Sequence, residues 1–483
     1  AIGARWRRRR CRDGTCMMRR QVTCEQGTLE GLAVGDPSIT AFRGVPFAAP
    51  PVGPLRWRPP QPPAPWQGVR CAFDDAPACL QPIPGASNPF YDKEWGMDPA
   101  IPLDEDCLYL NIWTPALRGS GADARLTGEP LPVMVWIHGG AYQCGCAMEK
   151  EFDGTALARQ GVVVVSVAYR LNVFGFFSHR WLQEEAEEGA PYANFGWLDQ
   201  QAALRWVRRN ITVFGGDPTR ICVFGQSAGA ASVLAQCCAP GNAGLFSRAI
   251  MQSGAGLGYF NATLCSLESA QSTGARLMQR LGVENLDEAR AVDAQTLFEG
   301  ASRLEAPEGV DHAAWPMMVN WVPCVDGVFM PRQERDLILD GQTKNIDLVV
   351  GDTQDEFMVS DGQGHQVRAG REGNRRLIAA WQHGGGRAPY YYHFDVPMPG
   401  DDAGSFHSSD LWFVFGTLGS CWRPMRGCHV ELSQCMSRYW TRFAAMGDPS
   451  GPGLVHWDRT DMHGDRFLHL GFPVEMRSGH RGA

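Results

Sequence analysis

The stretch RICVFGQSAGAASVLAQCC (220–238) runs an apolar segment into the smallest residues, with one hydroxyl, Ser227, at the joint. RICVFG is apolar at nearly every position, as in a strand covered on both faces, and AGAASVLAQ is an alanine-rich helix. Between them lies Gly-x-Ser-x-Gly (225–229), a turn so tight that a side chain at Gly225 or Gly229 would meet the neighbouring strand or helix. The five-residue pattern alone recurs by chance. Strand, pattern and helix in that order are specific, and they place a candidate nucleophile at the edge of a sheet.

The surrounding chain repeats the alternation. Apolar runs at 108–114, 131–140, 161–169, 220–225, 248–254 and 346–351 alternate with helical patterns, and YYYHFDV (390–396) is a further strand. Continuously apolar runs suit a parallel sheet with helical crossovers. DQQAALRWVRRNITVFGG (199–216) reads as a helix with Ala202, Leu204 and Val207 on one face and a glycine stop. Residues 260–335 read as a mostly helical insertion, part of a cap, and the proline- and tryptophan-rich segment 46–66 as extended chain packed across a surface. The expectation is one α/β domain over 21–483, with its ligand beyond the carboxyl ends of the strands.

Charge bounds the partners. The net charge is −8, yet residues 1–16 carry six arginines against Asp13, a local +5 that leaves −13 for the rest. So acidic a body is a poor match for a phosphate backbone, and no nucleic-acid partner is expected. Residues 1–20 are read as a disordered basic tail without the apolar core of a secretory signal. The most apolar stretch, 161–177, is broken by Arg170 and Asn172, so no membrane span is expected. Sixteen cysteines with no C-x-x-C pair read as buried thiols in a reducing, cytoplasmic setting, and no metal or cofactor motif accompanies them. Asn210 and Asn261 begin glycosylation-type triplets, a weak pattern without a secretion signal.

A serine hydroxyl needs a base, and the base an orienting acid; in sheets of this type the order is Ser, acid, His. The strand IDLVVG ends in DTQDE, which puts Asp352, Asp355 and Glu356 at its carboxyl end, and spacing alone leaves the three open. Nine of the twelve histidines follow Glu356, so position must sort them. His407 sits in the glycine-rich loop after YYYHFDV, at the same sheet edge, whereas His393 is inside that strand and His383 before it. WIHGGAY (136–142) opens a strand into two glycines, an oxyanion loop whose donors would be the N–H groups of Gly140 and Ala141, with that of Ala228 after the nucleophile.

These residues resemble the type-B carboxylesterases, the carboxylesterase/cholinesterase group of α/β-hydrolases, in a para-nitrobenzyl-esterase-like form. The resemblance runs over roughly 22–475, through FRGVPFAAPPVGPLRWRPPQPP (42–63), EDCLYLNIWTP (105–115), YRLNVFGFF (169–177), 194–230, VGDTQDE (350–356) and FHSSDLWFVFG (406–416). It implies an α/β-hydrolase fold: a large, mostly parallel sheet flanked by helices, with helical cap insertions. It implies Ser227 as nucleophile, Glu356 as acid and His407 as base. It further implies an ion pair between Arg56 and Glu105, and a cysteine pair at Cys79 and Cys107 whose oxidation a reducing setting would oppose. Gln226 departs from the glutamate that cholinesterases hold before the nucleophile, which turns the expectation from cationic toward neutral or aromatic esters. Ala168 and Ala193 depart from the usual Asn and Gly, with packing consequences. Trp95 resembles the choline-stacking tryptophan, and with Trp412, Gln226 and Cys144 it is a candidate for contact with substrate. The activity implied is serine carboxylic-ester hydrolysis without cofactor, on small-molecule esters, by a monomer or weak homo-oligomer. A specialised feruloyl- or lipase-like esterase, or a non-catalytic binding protein of the same fold, is the alternative.

Overall fold

The computed structural model describes residues 18–82, 89–94, 96–257, 264–305, 320–343, 345–360 and 366–479, and all seven expected strands lie in one sheet. Among the described residues that sheet has thirteen strands. Its central run is parallel: Val163–Val167, Leu131–Ile137, Gly216–Gln226, Arg248–Gln252, Asp347–Thr353, Tyr390–Phe394 and Arg466–Leu470, side by side. Tyr109–Thr114 joins antiparallel beside Val163–Val167, followed outward by the meander Asp36–Pro46, Gly27–Val34 and Arg19–Cys24.

The apolar runs are continuous because both faces are covered. Val133, Val135, Ile137, Ile221 and Val223 point into one core, and Met134, Trp136, Cys222 and Phe224 into the other. Successive side chains of a strand alternate faces, so a strand with helices on both sides needs apolar residues throughout.

The helix expected from 199 begins earlier, spanning Phe195–Asn210, and a 3₁₀ turn Ile211–Phe214 follows. Phe195, Trp197 and Leu198 are buried, whereas Ala202 is only partly so, and the inner face runs through Gln200, Ala203, Leu204 and Val207. Asn194 starts it in the left-handed region (φ 55°), a conformation its short polar side chain tolerates. The stop is Gly215 at φ 83°, and Gly216 already belongs to the next strand.

The described parts of the 260–335 region are helices Leu267–Leu281, Leu286–Ala291 and Ala294–Ser302, with a short parallel pair joining Cys265–Ser266 to Cys324–Val325. Segment 46–66 is not extended throughout: a 3₁₀ turn at Gly53–Leu55 interrupts it, and Trp57, at φ 55°, is buried and stacked on Phe177 at 4.2 Å. Arg56 clamps Glu105 through two hydrogen bonds of 2.7 and 2.6 Å and donates to the backbone of the 286–291 helix, tying that region to the sheet. Cys79 and Cys107 are buried free thiols, and a hydrogen bond to Cys79 together with burial pushes the Cys107 thiol well up. The basic tail to residue 17 lies outside the described residues, and among them no helix is long and apolar enough to cross a membrane.

Candidate active site

Ser227 stands at the carboxyl end of Gly216–Gln226, and the helix Ala228–Cys238 starts at the next residue. Its backbone is at φ 55°, ψ −127°, a conformation that a non-glycine residue keeps only when its surroundings over-determine it. Those surroundings are visible. The Ser227 N–H donates to Gln252 O at 2.9 Å, which pins the turn to the adjacent strand. A Cβ on Gly225 would lie 2.5 Å from Gly229 O and 2.8 Å from Ile137 O. One on Gly229 would fall onto the carbonyl oxygen of Ile137. The glycines are what lets the helix start this close to the strand.

The next strands carry the partners. Of the three acids left open by spacing, Glu356 is the one whose carboxylate faces His407, with Oε1 3.8 Å from Nδ1 and both side chains buried. Glu356 Oε1 also accepts the N–H and hydroxyl of Thr353, at 3.0 and 3.4 Å. Asp355 is spent on the loop that carries His407: Oδ2 accepts Ser405 N–H at 2.7 Å, and its backbone bridges Phe406. Asp352 holds a second histidine, with His393 Nδ1 at 2.5 Å and the Tyr391 hydroxyl at 2.6 Å. Of these two acid–histidine pairs, the one containing His407 is joined to the serine turn, through Gln226.

Gln226, the residue before Ser227, is buried, with its amide nitrogen 3.0 Å from His407 Nε2. With the amide as donor, Nε2 is the acceptor, which leaves the ring proton on Nδ1, the edge turned toward Glu356.

The strand Leu131–Ile137 opens into the glycine loop beside Ser227, where a Cβ on Gly139 would lie 3.1 Å from Ser227 Cβ. Gly140, Ala141 and Tyr142 follow with φ of 101°, 53° and 63°. Gly140 O accepts the N–H groups of Gln143 and Cys144 at 2.8 and 3.1 Å, curling the chain so that three successive residues take left-handed values. Ala228 is the first residue of its helix, so its N–H is among those with no partner within the helix. His138 is buried against Tyr169, and burial lowers its pKa to about 4, so it is neutral under the loop.

The remaining candidates separate. Cys144 lies by the loop, its thiol 3.6 Å from Gly140 O, and burial pushes its pKa to about 12. Trp412 is buried in the core of the Trp136 and Phe224 face. Trp95 lies outside the described residues. One residue escaped the sequence reading altogether. Asp410, three residues after His407, accepts the Tyr392 hydroxyl at 2.7 Å and the Gln252 amide at 3.0 Å, and burial raises its pKa to about 6. Since Gln252 O holds the Ser227 N–H, Asp410 fixes the residue that pins the turn. An acid inside SSDLWFVFG, next to an apolar helix, was the available signal.

The carboxylesterase family model matches residues 18–376 and 371–482, nearly all of the described chain. The chain belongs to the carboxylesterase family. It is 32% identical to a human (Homo sapiens) cocaine esterase over 92% of this chain and 86% of that one. It is 31% identical to the para-nitrobenzyl esterase of Bacillus subtilis (strain 168), over 90% and 91% of the two chains. A solved PNB esterase superposes with a TM-score of 0.81 at 29% identity, covering 95% of this chain and 97% of that one. The protein is thus a carboxylesterase with an α/β-hydrolase fold, and hydrolysis of carboxylic esters by a serine hydrolase is its activity. In this carboxylesterase the residue before Ser227 is a neutral amide, Gln226.

Proposed function

We propose that this carboxylesterase works through an acyl-enzyme on Ser227, with His407 as general base and Glu356 as orienting acid. In the reaction His407 Nε2 exchanges the Gln226 amide for the Ser227 hydroxyl; attack of Ser227 Oγ on the ester carbonyl then transfers its proton to Nε2, and the Nδ1–H edge facing Glu356 lets the carboxylate stabilise the imidazolium. The N–H groups of Gly140, Ala141 and Ala228 receive the oxyanion. His407 returns the proton to the leaving alcohol, and water then repeats the sequence on the acyl-enzyme. The 3.8 Å between Glu356 and His407 is longer than a hydrogen bond, and such contacts tighten when substrate binds. The observation that carries this reading is the strained Ser227 turn, held between a paired strand and a helix start.

Neutral or aromatic esters of small to medium size are the proposed substrates. Support comes from the neutral Gln226 beside His407 and from the likeness to a relative named for para-nitrobenzyl esters. Cysteine usage supports a cytoplasmic setting, and the reading includes a monomer or weak homo-oligomer.

A fluorophosphonate probe should label Ser227, located by peptide mass, and Ser227→Ala should lower kcat on p-nitrophenyl butanoate by about six orders of magnitude. Turnover that survives the substitution with less than about tenfold loss would reject the assignment. Absence of both labelling and turnover would favour a binding protein of the same fold.

A further inference from the structure

The helical insertion is closed at its base by a short parallel pair, Cys265–Ser266 beside Cys324–Val325, and the register sets Cys265 opposite Cys324. Adjacent strands lie about 4.8 Å apart, within the ~4.4–6.8 Å between Cα atoms that a disulfide spans. Residues that face one another across a ladder point to the same side of it. Here both side chains pack on one small cluster, with Ala193 and Ala270. Cys265 Sγ reaches the partner strand, donating to Pro323 O, the carbonyl just before Cys324, at 3.4 Å. Both residues are free thiols.

This pair differs from Cys79 and Cys107, the pair that the family resemblance implies. Those two are both buried, whereas Cys265 is partly exposed beside a buried Cys324. A reagent can therefore reach one sulfur, and the second can follow from inside. The two cysteines also stand at a junction. Cys265 precedes Ser266, whose hydroxyl caps the helix Leu267–Leu281 by accepting Ser269 N–H. Cys324 is held by Asn194, which accepts its N–H and donates to its carbonyl, both at 2.9 Å. Asn194 in turn starts the helix Phe195–Asn210. A bond between the sulfurs would tie the first helix of the insertion to the helix before the Ser227 strand, closing a loop of about 60 residues.

We infer that Cys265 and Cys324 form a thiol-modification site that takes a low-molecular-weight disulfide and closes into an intramolecular disulfide across the base of the insertion. The Cys265 thiolate attacks one sulfur of oxidised glutathione, forming a mixed disulfide and releasing one glutathione thiolate. Cys324, its proton lost to solvent, attacks the Cys265 sulfur, and the second glutathione leaves as a thiolate. Two protein thiols are oxidised and one small disulfide is reduced to two thiols. Burial raises the Cys265 thiol to about 11 and moves that of Cys324 the same way, so closure speeds up as pH rises. In a reducing setting the pair stays open, and the ratio of small disulfide to small thiol sets its state.

The test incubates the full chain with oxidised glutathione or with dithiothreitol at about pH 9, where more of the thiol is ionised. Remaining thiols are blocked with N-ethylmaleimide, and peptides are mapped by mass without reduction. The expected product is a peptide pair joined through Cys265 and Cys324, lighter than its two parts by two hydrogens and separated again by dithiothreitol. Oxidised protein should melt about 3 °C or more above reduced protein, and Cys265→Ser should abolish the difference. If that variant does not fold, the mapping of the wild-type chain decides alone. Four results would overturn the site: both cysteines alkylated after oxidation, glutathione retained on Cys265, a bond from either to another cysteine, or a Tm difference that survives in Cys265→Ser.

Discussion

Ser227 and His407 lie 180 residues apart (407 − 227), with Glu356 between them in the chain, yet each sits directly beyond a strand or in the loop that follows one. What distinguishes Glu356 from its neighbours is where the other acids are already committed. Asp355 closes the loop through Ser405, and Asp352 is bound by His393 and Tyr391. On the proposed roles, Glu356→Gln should lower kcat by roughly 10⁴, the cost of losing an orienting acid. Asp352→Asn, measured in parallel, should leave kcat within about tenfold; the reverse order would move the acid's role to Asp352. The spacing Asp-x-x-Asp-Glu could not make this choice, because hydrogen bonds to residues 39 to 50 positions downstream decide it.

At the level of elements, the turn at 225–229 depends on two backbones approaching more closely than any side chain allows. Gly229→Ala would drive its Cβ into Ile137 O and His138, the residues that lead into the glycine loop. The expected cost is about 2 kcal/mol or more of stability, with a loss of kcat as the loop shifts. Thermal melting and p-nitrophenyl ester kinetics on the variant check both; wild-type values in both assays would mean that the approach is looser than the structure has it. The strands themselves were legible, since two-sided burial forces continuous apolar runs. The helix Phe195–Asn210 was legible in kind but not in extent. Its first turn is fixed by Asn194 at positive φ and by burial of Phe195 and Trp197, which periodicity does not report.

Over the whole molecule, burial has placed several acids where their charged form is costly. Glu334 is the simplest of them: desolvation alone raises its pKa to about 8, and Oε1 has no partner among the described residues. The folded protein then keeps this proton up to about pH 8, while the unfolded chain releases it near the ordinary 4.5. Between those values the unfolded state binds fewer protons, so stability falls as pH rises, by up to ~1.4 kcal/mol per pH unit for this one group. Glu149, also raised to about 8, adds a slope of the same sign. Glu334→Gln should flatten the decline of Tm between pH 5 and 8, whereas curves that stay parallel to wild type would show that Glu334 is not the group responsible.

The sequence by itself determined the α/β class, the strand set, the serine turn and the glycine loop, because each is written in local pattern: apolar runs, tight glycines, an alanine-rich helix. The tertiary structure alone decided which acid meets His407, that Trp412 is core and that Gln226 contacts His407. Those facts are contacts between segments far apart in the chain, and contact at such separation is set by how the sheet stacks its strands, not by any local run of residues.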